Sequence, residues 1–250
     1  MSISKGTLMR INKKITDDLI NYIQKQYEFN VKDHSDMFKS LSELQLCIDE
    51  AVLARYFGNT KESADAKKYW KQHLKFETRK TGKQLLDKIN ALQEQSKDPL
   101  EILDVGCGDN KWKEHFGEQL IGIDPYNKNA DVQLGIEQFA KERPFASWDV
   151  VLVLGSINFG DKATIEAQLL SAASLIKPGG KLFLRANPGI THINEYAKWV
   201  DFFDWTEEYI KDVAERLGFT VNEIGWDHPQ SDLDVPNGNR YYSEWTKHSV

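Results

Sequence analysis

A chain of 250 residues with 40% hydrophobic and 11% aromatic side chains carries enough apolar surface for a sizeable core, which excludes a disordered protein. Its formal charge of -6 excludes a protein that coats nucleic acid through a general positive surface. No apolar run approaches the roughly 18 residues of a membrane-spanning helix, and Cys47 and Cys107 form no metal-ligand or redox spacing. The start, MSISKGTLMRINKK, lacks the apolar centre of a secretory signal, so a cytoplasmic protein without a metal is expected.

In chain order, helical patterning comes first. Ile15, Leu19, Ile20, Ile23 and Tyr27 follow helical spacing, and MFKSLSELQLCIDEAVLARYF continues it. The stretch ADAKKYWKQHLKFETRKTGKQLLDKINALQEQ predicts one long helix, weakened only at Gly82. Residues 61–100 hold ten Lys/Arg against six Asp/Glu, whereas residues 101–250 hold 14 against 24. This change of character falls at the turn-like SKDP, which places a boundary between a helical segment, 1–97, and a second domain, 98–250.

Beyond residue 100 short apolar runs alternate with helical ones. Strands are predicted at EILDVG, LIGIDPY, ADVQLG, WDVVLVLGS, GKLFLRAN, TVNEIGWD and RYYSEWTKH. IEAQLLSAASLI reads as a helix stopped by KPGG, and WTEEYIKDVAERLGF as a helix capped by Thr206 and ended by Gly218. The alternation predicts an α/β, Rossmann-like, mostly parallel seven-stranded sheet. The last two strands lack a helix between them, so the final strand is expected to run antiparallel.

Ligands of such sheets bind at the carboxyl ends of the strands. There Gly106 and Gly108 let backbone approach a ligand, and Asp124, 18 residues after Gly106, can accept both hydroxyl hydrogens of a ribose. A pyrophosphate binder needs GxGxxG, and that spacing fails because Asn110 and Lys111 follow. A ligand without phosphate needs only the two glycines and polar groups.

DVGCGDN, GIDPY, SWDVVLVLGS and LIKPGGKLFLRAN, followed by the GWD…RYYSEWTKH ending, resemble the successive motifs of class I S-adenosylmethionine-dependent methyltransferases over residues 98–248. The resemblance implies S-adenosylmethionine as cofactor. It implies that Asp104 braces the loop and faces the methionine ammonium, and that Gly106, Cys107 and Gly108 pass beneath the ligand. It places Asp124 on the ribose diol, Pro125 and Tyr126 against adenine, Glu137 near the adenine amino group, and Gly155 and Ser156 on the methionine part. Asn110, standing where the family has its third glycine, is the departure, with Trp112 close behind.

Methyl transfer from a sulfonium needs mainly alignment and a shielded site. The candidates that face the acceptor are Asn158, Phe159, Asn187, His192 and the segment EYAKWVDFFDW, with His192 as the candidate base and Tyr196, Trp199, Phe202, Phe203 and Trp205 as a candidate wall. GSINFG stands where DNA amino-methylating enzymes carry an Asn/Asp-Pro-Pro-aromatic motif, so DNA modification is not expected. Lys67, Lys71, Lys75, Arg79 and Lys83 recur every four residues and form a stripe that could follow a phosphate backbone. The expected activity is methylation of a small molecule, with the N-terminal helices as cap. The alternatives are a nucleic-acid or protein methyltransferase docked through the basic helix 67–83, and a non-catalytic cofactor-binding assembly protein.

Overall fold

The computed structural model describes residues 79–143, 146–189, 202–228 and 240–249. All belong to the second of two compact units, Thr60–Val250. The elements are α1 (Leu85–Gln95), β1 (Ile102–Val105), α2 (Lys113–Phe116), β2 (Leu120–Ile123), α3 (Ile136–Glu142), β3 (Trp148–Leu154), α4 (Lys162–Leu175), β4 (Ile176–Ala186), α5 (Glu207–Arg216), β5 (Phe219–Trp226) and β6 (Tyr241–Lys247).

The strands form one sheet of six in the order β2-β1-β3-β4-β6-β5. Pairing is parallel from β2 to β4, while β6 is antiparallel to both β4 and β5. The antiparallel end agrees with the sequence, where GWD…RYYSEWTKH carries no pattern for the crossover helix that a parallel return needs.

The expected seventh strand, ADVQLG, is corrected to a single bridge, Val132 with Ile123. Here a side chain takes over a backbone role: Asp131 Oδ2 accepts the Gly122 N–H at 2.8 Å. Asp131 N at 2.9 Å and Val132 N at 3.2 Å both donate to Gly122 O, and Val132 O accepts from Asp124 N at 3.2 Å, before the chain turns into α3.

Alternation along the strands places two apolar clusters on opposite faces. Leu103, Val105, Val151, Val153, Leu182 and Leu184 meet α3, α4 and α5 on one face. Ile102, Val150, Leu152, Phe183 and Tyr242 meet Leu85 and Ile89 of α1 and Phe116 of α2 on the other. Each fully buried side chain of this size contributes about 1.5–3 kcal/mol. KPGG does end α4, and it forms an irregularity in β4 where the register with β3 jumps from Trp148↔Ile176 to Val150↔Lys181. Thr206 caps α5 as expected, its hydroxyl accepting from Tyr209 N at 3.1 Å.

The single long helix expected across residue 82 is also corrected. Thr81 (φ -84°, ψ 18°) and Gly82 (φ -113°, ψ -123°) leave helical geometry, and α1 starts only at Leu85. Competing partners explain the break. Thr81 N and Oγ1 donate to the Asp227 carboxylate, each at 2.9 Å, and Lys80 N donates to Asp227 O at 3.0 Å. Downstream, Lys88 of α1 bridges Glu223 at 2.6 Å and Glu244 at 2.8 Å. Burial opposes the charge on Lys88, but these two carboxylates outweigh it and raise its pKa. The segment is therefore fastened to the β5–β6 hairpin at Lys80–Thr81 and again at Lys88.

Candidate functional site

The loop after β1 is built from left-handed residues at alternate positions: Gly106 (φ 68°), Gly108 (φ 54°) and Asn110 (φ 55°). Each has its own reason. A Cβ on Gly106 would lie 2.2 Å from Ser156 Cβ, so that glycine is required by the contact between the ends of β1 and β3. A Cβ on Gly108 would meet nothing within 4 Å, so Gly108 faces open space and leaves room for a ligand. Asn110 adopts the conformation a third glycine would supply, which asparagine tolerates better than most residues. Its amide lies over Gly122, where a Cβ would come within 2.3 Å of Asn110 Oδ1, and its Nδ2 donates to Asp131 Oδ2 at 3.1 Å. The departure from the glycine pattern is thus a structural substitute rather than a lost function.

Asp124, 5% exposed at the end of β2, organises the loop. Its Oδ2 accepts from Gly108 N at 3.0 Å, and its Oδ1 accepts from Tyr126 N at 2.8 Å and Asn127 N at 3.0 Å. Three of its roughly four lone-pair sites are used, which leaves capacity for a further donor.

Asp104, 3% exposed on β1, has no hydrogen-bond donor among the described residues. Burial, and then the neighbouring charge of Asp124, raises its pKa to about 7. A buried carboxylate without a donor beside a second carboxylate is suited to a cation and repels a pyrophosphate. The Cys107 thiol is pushed up to about 12, by burial first and then by Asp104, Asp124 and Asp131, so it is a packing group rather than a nucleophile.

The other expected cofactor residues lie around this loop. Pro125 is exposed, Tyr126 is half-buried, and Glu137 is exposed in the first turn of α3. Gly155 (φ 108°) follows β3, and the buried Ser156 hydroxyl has no partner among the described residues.

On the acceptor side Asn158 and Asn187 come together. Asn187 N donates to Asn158 Oδ1 at 2.8 Å, and the two residues are 1% (Asn187) and 5% (Asn158) exposed. Residues 202–205 cross the ends of β3 and β4: Phe203 N donates to Asn158 O at 2.8 Å and Trp205 N to Asn187 O at 3.1 Å. The Phe159 and Phe202 rings lie 5.3 Å apart. Trp205 and Phe203 instead pack into the core with Tyr209, so that part of the expected wall is structural. His192, Tyr196 and Trp199 lie outside the described residues, as do Lys67, Lys71 and Lys75. Arg79 of the basic stripe is turned inward, 8% exposed and bonded to His228, while Lys83 is exposed.

Arg185 and Asp227 did not stand out in the sequence. Arg185 Nε donates to Asp227 Oδ2 at 2.8 Å, and the Asp227 side chain is fully buried. Burial alone would raise the Asp227 pKa, but Arg185 and the Thr81 donors outweigh it and hold the carboxyl below its ordinary range. The signal available was an arginine in RAN, at the carboxyl end of a predicted strand, and an acid in GWD.

Together the sheet order, a glycine loop facing open space, an organising acid just after β2 and a buried carboxylate without a donor among the described residues fit an α/β protein with room for a cationic ligand. The chain matches the methyltransferase-domain family over residues 76–224, more than half its length, and it belongs to that family. A search of curated proteins finds no match. Among solved structures it is similar to the Burkholderia thailandensis 1,6-didemethyltoxoflavin-N1-methyltransferase crystallised with 1,6-didemethyltoxoflavin and S-adenosylhomocysteine. That match has a TM-score of 0.57 at 15% identity, over 80% of this chain and 89% of that one. It is also similar to the N-methyltransferase NodS of Bradyrhizobium japonicum WM9 bound to S-adenosylhomocysteine, with a TM-score of 0.53 at 14% identity, over 78% of this chain and 97% of that one. The protein is an S-adenosylmethionine-dependent methyltransferase. Its own residues fit that donor, since Asp104 is a buried carboxylate without a donor among the described residues, which suits a cationic ligand, and Gly108 faces open space.

Proposed function

We propose that this enzyme methylates a small molecule. The observation that carries the reading is the segment 202–205, which crosses the ends of β3 and β4 and sets Phe202 against Phe159 above the Asn158–Asn187 pair. This gives the acceptor side two aromatic rings next to buried amides, which suits a planar or apolar small acceptor. One of the two similar methyltransferases was crystallised with 1,6-didemethyltoxoflavin, which agrees with this reading. The inward turn of Arg79 removes one cation from the stripe on which a nucleic-acid substrate would rely.

The bound donor supplies a methyl group on a sulfonium, which leaves as a neutral thioether. In our reading Asp104 takes the cationic end of the donor, and Asp124 keeps the loop and the following turn in place for Tyr126, Pro125 and Glu137. Gly155 and Ser156 border the methionine part. Asn158 and Asn187 position the acceptor, and His192 serves as base where the acceptor must lose a proton. No helix among the described residues is long and apolar enough to cross a membrane.

The test uses methyl-labelled S-adenosylmethionine with a cell extract separated into low-molecular-weight and macromolecular fractions. Label should pass into the small-molecule fraction with little dependence on salt. Label in nucleic acid or protein, falling steeply between about 50 and 200 mM salt, would favour docking through the basic residues and overturn the reading.

A further inference from the structure

Gly155 lies at the end of β3, and two side-chain nitrogens converge on it. A Cβ at this position would sit 3.7 Å from Arg185 Nη1 and 3.8 Å from Asn158 Nδ2. Both donors are oriented from behind. Asp227 holds Arg185 through Nε at 2.8 Å, which leaves Nη1 and Nη2 directed elsewhere. The Asn187 N–H can only donate, so its 2.8 Å bond fixes the oxygen of the Asn158 amide and turns Nδ2 to the other side. The Asn158 main-chain carbonyl is also occupied, by Phe203 N at 2.8 Å. Among the described residues neither Arg185 Nη1 nor Asn158 Nδ2 has an acceptor.

We propose that Arg185 and Asn158 form an oxyanion cradle above Gly155 that takes a carboxylate or phosphate oxygen of the molecule bound at the methyl-transfer end. This deepens, and rests on, the reading of the site as one for small molecules. Two preorganised donors meet in a place where glycine supplies no side chain, and one of them is charged, which favours an anionic oxygen over a neutral carbonyl. The Arg185–Asp227 pair carries no net charge, so recognition comes from directed N–H groups rather than from a general positive field. Oxygens of this kind have two sources. One is the α-carboxylate of the methyl donor, whose ammonium Asp104 would face. The other is an acid group on the acceptor.

Asn158→Asp is the first variant, because it keeps the oxygen that accepts from Asn187 N and replaces the Nδ2 donor by a repelling oxygen. Arg185→Gln combined with Asp227→Asn is the second, and it removes the charge pair as a unit. Wild type and variants are titrated calorimetrically with S-adenosylhomocysteine and with 5′-methylthioadenosine, which keeps the nucleoside but lacks the amino-acid end. Benzoate and inorganic phosphate are then titrated into both the free and the S-adenosylhomocysteine-saturated protein. A loss of about tenfold or more for S-adenosylhomocysteine, with 5′-methylthioadenosine unchanged, supports the cradle and assigns it to the donor carboxylate. The same loss confined to benzoate or phosphate supports it and assigns it to the acceptor. Variants that bind every probe as the wild type does overturn it. Failure of the small-molecule reading shows separately, as label passing into macromolecules, and the anion titration into free protein then still decides whether the cradle exists.

Discussion

Replacing Asp104 by asparagine should make the fold more stable and the enzyme less able to bind its donor, with a pH dependence that identifies the cause. The folded pKa of this carboxyl is about 7, against an ordinary value of 3.8. A carboxyl whose pKa is raised on folding holds its proton more tightly in the folded state. Its contribution to stability is therefore complete below pH 3.8 and is lost as the pH climbs to about 7. At about 1.4 kcal/mol per unit, the loss approaches 4 kcal/mol by neutral pH. Asparagine has no charge to desolvate, but its N–H groups need acceptors, at a cost of about 1–2 kcal/mol. The variant should then exceed the wild type by about 2 kcal/mol at pH 8, and the advantage should vanish by about pH 5. Urea unfolding at pH 5, 6, 7 and 8 measures the gap directly. In parallel, binding of the cationic donor by the wild type should strengthen with pH up to about 7, by at most tenfold per unit, and be weak and flat in the variant. A stability gap that stays constant from pH 5 to 8 would refute the reasoning, since it would mean that Asp104 is ionised throughout.

Glycine 106 and glycine 108 should separate packing from binding. Gly106→Ala drives a Cβ to 2.2 Å from Ser156 Cβ and should cost about 3 kcal/mol or more in thermal or urea melts. Gly108→Ala meets no atom and should cost only the ~1–2 kcal/mol of a left-handed alanine, while calorimetry shows a larger relative loss of S-adenosylhomocysteine. Arg185→Ala alone strands a fully buried carboxylate and should destabilise by about 3–5 kcal/mol, with substantial recovery on adding Asp227→Asn. Because the Asp227 pKa is held below 3.8, the stability it contributes is present above that pH and lost as the pH falls through the lowered value, which an acid titration of wild type against D227N reads. Leu85→Ala, at a site with no exposed surface, should cost about 2–5 kcal/mol if α1 is part of the core, and a surface helix would lose far less. Cys107, with its thiol near 12, should react with iodoacetamide at pH 7.5 far more slowly than a free thiol of pKa about 8.5.

What the sequence determined by itself was whatever depends on local pattern. Continuous apolar runs such as WDVVLVLGS became β3 because a strand buried on both faces shows itself in composition. Thr206 and Gly218 bounded α5 because caps act within a few residues. DVGCGDN located the loop because left-handed backbone favours glycine or asparagine wherever it occurs. What only the tertiary structure decided were the choices made between distant groups. Whether ADVQLG would be a strand was settled by the Asp131 side chain bonding to Gly122, and whether one helix would run through Gly82 by Asp227, 146 residues beyond Thr81. The reason Gly106 must be glycine is Ser156, just past the end of β3. The pairing of Asn158 with Asn187, and the convergence of Arg185 on Gly155, arise because parallel strands bring their carboxyl ends to one edge of the sheet. No spacing in the chain records which side chains meet there, because that depends on sheet order and register rather than on sequence distance.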